Sequence, residues 1–162
     1  MNAPAPIVLF VYNRPGHTKQ VLEALQNNKG AKESPLVVYS DAASTNEDAI
    51  RVQEVRSYIQ GVRGFSSVTL IEREKNYGLS RSIIEGVSEV LSKHPSVIVL
   101  EDDLVTSPYF LSYMNQGLQL YEKEEKVISL HGYMYPVKAR LPETFFLRGA
   151  DCWGWATWRR GW

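Results

Sequence analysis

The chain has 162 residues, 44% of them hydrophobic and 22% charged, with 18 basic against 18 acidic side chains and a formal net charge of zero. That length fits one domain spanning residues 1–162, the composition excludes a disordered chain, and the charge balance argues against a nucleic-acid binder, which carries a basic face. No apolar run is long enough for a membrane span, the start MNAPAPIVLFVYNRP lacks the basic leader of a signal peptide, and the single Cys152 leaves no internal disulfide, so a cytoplasmic protein is expected.

Ile7 to Tyr12 is a continuous apolar run of strand length. Pro15 stands at a first helical position, and Val21, Leu22 and Leu25 recur at helical spacing. Leu36 to Tyr39 is the next strand, and Asn46 to Val62 is a helix with Ile50, Val55 and Ile59 on one face. Val68 to Ile71 is a short strand, Asn76-Tyr77-Gly78 a turn, and Ser80 a cap for a helix carrying Ile83, Ile84, Val87, Val90 and Leu91 that ends before Pro95. Val97 to Leu100 is a strand, Ser107-Pro108 opens a helix to about Glu124, and Val127 to Leu130 is one more strand. Strands apolar on both faces, alternating with amphipathic helices, predict an α/β fold with a mostly parallel sheet covered on both sides.

After Gly132 the pattern fails, and the remainder reads as loops and aromatic clusters. Trp153, Trp155, Trp158 and Trp162 crowd the last ten residues. A surface tail is ordinarily polar, so the chain reads as a C-terminally truncated fragment whose late aromatics lack a later element to pack against and invite self-association.

Ligands of such sheets bind beyond the carboxyl ends of the strands. Asn13-Arg14, Ser40-Asp41, the segment 72–78, Glu101-Asp102-Asp103 and His131 all fall there. In VIVLEDDLVTSP, residues 97–108, a buried strand runs into three carboxylates. Like charges so placed repel, and a hard divalent cation such as Mn²⁺ or Mg²⁺, shared with phosphate oxygens, relieves them. Strand alternation would turn Glu101 and Asp103 to one side and Asp102 to the other. The plainer alternative is a solvated acidic loop. Arg14 suits a phosphate or a surface ion pair, and Asp41 suits a ligand contact or a local Asx turn. His131 reads as a satisfied loop or core histidine and Cys152 as packing. Trp153, Trp155 and Trp158 are either core or a stacking surface for a sugar.

The stretches IVLFVYNRP, YSDA, NYGLSRSIIEGV, VIVLEDDLVTSPYFLSYM and GADCWGWATW resemble the nucleotide-sugar glycosyltransferases of the GT-A fold. They are most similar to the N-acetylglucosaminyltransferase I family, with its Glu-Asp-Asp metal motif, over roughly Ile7 to Trp158. The resemblance implies metal-dependent, inverting transfer of a hexosyl or N-acetylhexosaminyl group from a nucleotide-sugar donor, of uridine diphosphate type, to a glycan or glycolipid acceptor, as in polysaccharide biosynthesis. It makes Asp103 the metal ligand, Asp102 and Glu101 contacts to ribose and donor sugar, Arg14 a contact to the diphosphate and Asp41 a contact to uracil. Ser82 or Arg81 falls at a further nucleotide contact, where the family carries histidine. Trp153 and Trp155 are candidates for acceptor or sugar contact. The family's general base lies downstream of the Gly-Trp segment and is expected beyond residue 162, since Asp151 does not match its position. A non-catalytic nucleotide- or carbohydrate-binding module of the same fold is the alternative. A nucleotidyltransferase would show a Gly-rich basic signature near the first strand, which IVLFVYNRPGH lacks.

Overall fold

Ile7–Val11, the first strand (β1), is buried at every position. A strand so apolar is stable only with neighbours on both edges and helices on both faces. The computed structural model, which describes residues 3–162, supplies them. After β1 come α1 (Pro15–Gln26), a 3₁₀ turn (Ala31–Glu33), β2 (Pro35–Ser40), α2 (Asn46–Gln60), β3 (Ser67–Glu72), α3 (Leu79–Lys93), β4 (Ser96–Glu101), α4 (Phe110–Leu120), β5 (Ser129–His131) and β6 (Trp155–Trp158). The sheet order is β3-β2-β1-β4-β6-β5. β3, β2, β1 and β4 pair in parallel, and β6 runs antiparallel between β4 and β5.

Alternate side chains of β1 enter two different cores. Ile7, Leu9 and Val11 pack with Val21, Leu22 and Leu25 of α1, Val55 and Ile59 of α2, and Leu111, Met114 and Leu118 of α4. Val8 and Phe10 turn the other way, onto Val87, Val90 and Leu91 of α3. On that second face Phe10 and Tyr39 stack with ring centroids 5.4 Å apart. Gly86 of α3 lies against them, and a Cβ there would stand 2.8 Å from the Phe10 ring and 3.1 Å from Tyr39. The glycine sets how closely α3 approaches the sheet.

Several expected boundaries shift. Ile50 is 69% exposed; the inward face of α2 is Val52, Val55 and Ile59, a three-and-four spacing that Ile50 does not share. Ile84 is likewise exposed, because α3 buries Ser82, Gly86, Val87, Val90 and Leu91. The N-cap of α3 is Gly78 at φ +73°, not Ser80, so the chain turns into the helix through left-handed backbone. The helix expected from Ser107-Pro108 starts at Phe110 and stops at Leu120. β3 is an edge strand with half of its positions exposed, rather than apolar on both faces.

The largest correction concerns the chain after Gly132. Trp155–Trp158 is a strand in the middle of the β4–β5 side, where Ala156 and Trp158 are buried. The expectation that the late aromatics lack a packing partner fails for them. The Trp158 indole N–H donates to the Leu118 carbonyl at 3.1 Å, and Trp162 stacks on Trp155 and donates to Ser88. Arg159 and Arg160 direct their guanidinium groups onto carbonyls at and beyond the C-terminal ends of α3 and α4, which those helices leave unpaired. Among the described residues no helix is long and apolar enough to cross a membrane.

Candidate functional site

β2 and β3 lie on one side of β1, and β4 lies on the other. That reversal opens a crevice at the carboxyl ends of β1 and β4, the usual ligand position in such sheets. A cavity of about 370 Å³ sits there. Its walls include Tyr12 and Arg14 after β1, Asp41 after β2, Gly78 and Ser82 at the start of α3, and Glu101 and Asp102 at the end of β4. Of the residues singled out in the sequence, Arg14, Asp41, Ser82, Glu101 and Asp102 are therefore brought together. Arg81 is not: it is exposed and pairs with Glu85 along the outside of α3.

The acidic triplet does not alternate as a continued strand would. β4 ends at Glu101, and the chain turns at Asp102 and Asp103. Both aspartates then meet one guanidinium. Arg14 Nη1 donates to Asp103 Oδ2 at 3.0 Å, and its Nη2 donates to Asp102 Oδ1. Asp103 is half-exposed, whereas Asp102 is 2% exposed and its Oδ2 has no partner. Burial raises the pKa of Asp102, with Arg14 pulling the other way. Glu101 is raised too, by desolvation first and then by the charges of Asp103 and Asp102. Ser82, 5% exposed, also presents an unpartnered buried hydroxyl. Two buried polar atoms without partners on the walls of one cavity are what a polar ligand would satisfy.

Asp41 lines the cavity and is bonded to the backbone on either side of it. Its Oδ1 accepts from the backbone N–H groups of Ala42 and Tyr77, at 3.0 and 2.9 Å, and its Oδ2 accepts from Gly78 N–H at 2.9 Å. The carboxylate thus fastens the 76–78 turn to the end of β2. Since each carboxylate oxygen takes two donors, Oδ2 keeps one acceptor position.

Three supporting residues escaped the sequence reading. Arg56 of α2 donates to Ser40 Oγ and to the carbonyls of Ser40, Asp41 and Arg73, tying together the ends of β2 and β3. Arg73 lies between the rings of Tyr39 and Tyr77, 5.0 and 4.9 Å from their centroids, with buried Nε and Nη2 unpartnered. Asp48 at the start of α2 accepts from Tyr12, Asn13, Ser44 and Thr45. The bonds from Thr45, Asn13 and Tyr12 lower its pKa to about 2. Only a capping signal at Thr45 was available in the sequence; the Arg56 bonds cross fifteen to seventeen positions and the Asp48 bonds from Tyr12 and Asn13 cross about thirty-five, between different elements.

His131 is half-buried, its Nε2 paired with Ser129 Oγ and its Nδ1 unpartnered. Cys152 is exposed, which removes its expected packing role. Trp155 pairs with Val99 in the β6–β4 register. Exposed Trp153, just before β6, meets Tyr133 and Tyr135 with centroids 4.8 and 5.3 Å away. Asp151 Oδ1 accepts from the Trp153 N–H.

Among the described residues no three Asp, Glu, His or Cys side chains converge on one point. The donor set is instead one half-exposed carboxylate beside a buried carboxylate with a free oxygen. That fits a hard cation completing its shell with water and phosphate oxygens, and does not fit a closed structural cage.

The GNT-I family model matches residues 1–135. No curated protein matches the chain. Among solved structures, the mannosyltransferase PcManGT of Pyrobaculum calidifontis, in complex with GDP-Man and Mn²⁺, is similar with a TM-score of 0.53 at 14% identity, over 78% of this chain and 34% of that one. TarS 1-349 of S. aureus in complex with UDP is similar with a TM-score of 0.56 at 15% identity, over 97% of this chain and 47% of that one. At such identities the likeness establishes the fold, that of the GT-A glycosyltransferases, with the chain spanning less than half the length of either structure.

Proposed function

The chain belongs to the GNT-I family, and we propose that residues 1–162 form the donor-binding domain of a cytoplasmic glycosyltransferase that takes a uridine diphosphate sugar with Mn²⁺ or Mg²⁺. The observation that carries this reading is a pair of buried polar atoms without partners, Ser82 Oγ and Asp102 Oδ2, in a cavity whose rim holds Arg14. In this reading Asp103 holds the cation, which supplies charge stabilisation to the departing diphosphate. Arg14, permanently charged, meets phosphate oxygens. The free oxygen of Asp102 accepts a ribose hydroxyl, Glu101 faces the donor sugar, and Ser82 makes the further nucleotide contact. Asp41 takes the uracil N–H at its one open acceptor position while its other bonds hold the turn.

Trp153 and Trp155 contact the sugar or the acceptor, a glycan or glycolipid of the kind used in polysaccharide assembly. Trp153 suits this better, being exposed. The sugar passes to the acceptor with inversion, which calls for a general base near the acceptor hydroxyl. The exposed apolar side chains between Tyr133 and Leu147 support self-association through that segment rather than through the terminal tryptophans.

Calorimetry with UDP tests the reading. Binding is expected in Mn²⁺ and lost in EDTA, and Asp103→Ala should remove most of the metal-dependent affinity without lowering the melting temperature. Equal affinity in Mn²⁺ and EDTA would refute the metal role.

A further inference from the structure

Arg14 is claimed by two partners at once. It is forked between Asp103 and Asp102, yet it is also the group placed to meet a diphosphate. A guanidinium on Asp103 repels a second cation approaching the same carboxylate. While it stays there it is withheld from phosphate. Asp102 differs from Asp103 in being buried, with a second oxygen that no side chain satisfies. The Asp102 contact is therefore the one that Arg14 has most reason to keep.

We propose that Arg14 is an internal counter-cation that holds Asp102 and Asp103 together until a divalent cation takes Asp103, whereupon the guanidinium pivots about Asp102 onto the diphosphate. The proposal rests on the donor reading above. It makes cation and nucleotide binding cooperative through this chain's own residue. Cation alone must break an ion pair, and nucleotide alone meets an arginine already engaged. By linkage, each then raises the affinity of the other by one and the same factor.

The experiment is titration of Mn²⁺ alone, without nucleotide, into the unaltered chain, Arg14→Gln and Arg14→Lys, followed by UDP in the presence and absence of Mn²⁺. Removing the charge should tighten Mn²⁺ alone by about five- to tenfold, while UDP binding in Mn²⁺ weakens by about tenfold. Arg14→Lys, which keeps the charge, should bind Mn²⁺ alone as the unaltered chain does. An Arg14→Gln chain that binds Mn²⁺ alone no more tightly overturns the counter-cation while leaving the donor reading intact, provided the unaltered chain still needs Mn²⁺ for UDP. An unaltered chain with no such need overturns both. Should Arg14→Gln fail to fold, the Arg14 Nε–Hε NMR signal of the unaltered chain decides. It should move on saturation with Mg²⁺ alone, and a stationary signal contradicts the proposal.

Discussion

β4 is paired on its two edges by strands built in different ways. On one side lies β1, five aliphatic and aromatic residues buried on both faces and continued by an amphipathic helix. On the other lies β6, four residues reached through positions 132–154, which form no regular element. The β1 side is specified by periodicity, since its side chains alternate between the α1–α2–α4 core and the α3 core. The β6 side is specified by individual bonds from side chain to backbone. Trp158 reaches the Leu118 carbonyl, Thr157 the Ile128 carbonyl, and Arg159 and Arg160 the carbonyls near the ends of α3 and α4. The lesson is that a late, irregular, aromatic passage can still be core when its polar atoms find fixed partners.

Truncating Trp158 would break this comparison most severely. Trp158→Ala should cost about 3–5 kcal/mol in denaturant unfolding, as for a large core aromatic. Trp153→Ala, on the same passage but exposed, should change stability by no more than about 0.5 kcal/mol. Equal losses at the two positions would mean that β6 is not core. On the opposite face, Gly86→Val should cost about 1–3 kcal/mol, because its side chain meets the Phe10–Tyr39 stack. Arg159→Ala and Arg160→Ala should each cost about 1 kcal/mol, the net worth of bonds to carbonyls at the ends of α3 and α4. The smallest effect depends on pH. Because the folded pKa of Asp48 is lowered to about 2, its charge stabilises the fold above its unfolded value near 4, and that contribution disappears as pH falls through about 2. The melting-temperature gap between the unaltered chain and Asp48→Asn should hold from about pH 7 to 5 and close between about pH 4 and 2.

What the sequence disclosed follows the same division. Strands β1, β2 and β4, the helices between them and the gathering of Arg14, Asp41, Glu101 and Asp102 at one edge were legible, because aliphatic runs and strand-end polar residues are local signals, whereas Ser82, inside α3, was singled out only by family resemblance. Strand β6 was not, since Trp-Ala-Thr-Trp is too short for a period to show and its pairing partners lie more than twenty residues away. The fork of Arg14 on two successive aspartates was hidden for another reason. Strand alternation predicts opposite faces for Asp102 and Asp103, and only the turn after Glu101 brings both to one guanidinium. The roles of Arg56 and Arg73 come from crossing between elements, which no local pattern announces.

The central claim is that Asp103 and Arg14 divide the work of holding a metal-bound nucleoside diphosphate. Anomalous X-ray difference maps of crystals grown with UDP and Mn²⁺ test it most directly. The account predicts a manganese peak within about 2.1 Å of an Asp103 carboxylate oxygen, bridged to the diphosphate, with the Arg14 guanidinium on phosphate and off Asp103. A manganese peak away from Asp103, or a diphosphate bound with Arg14 still forked between Asp102 and Asp103, would contradict it.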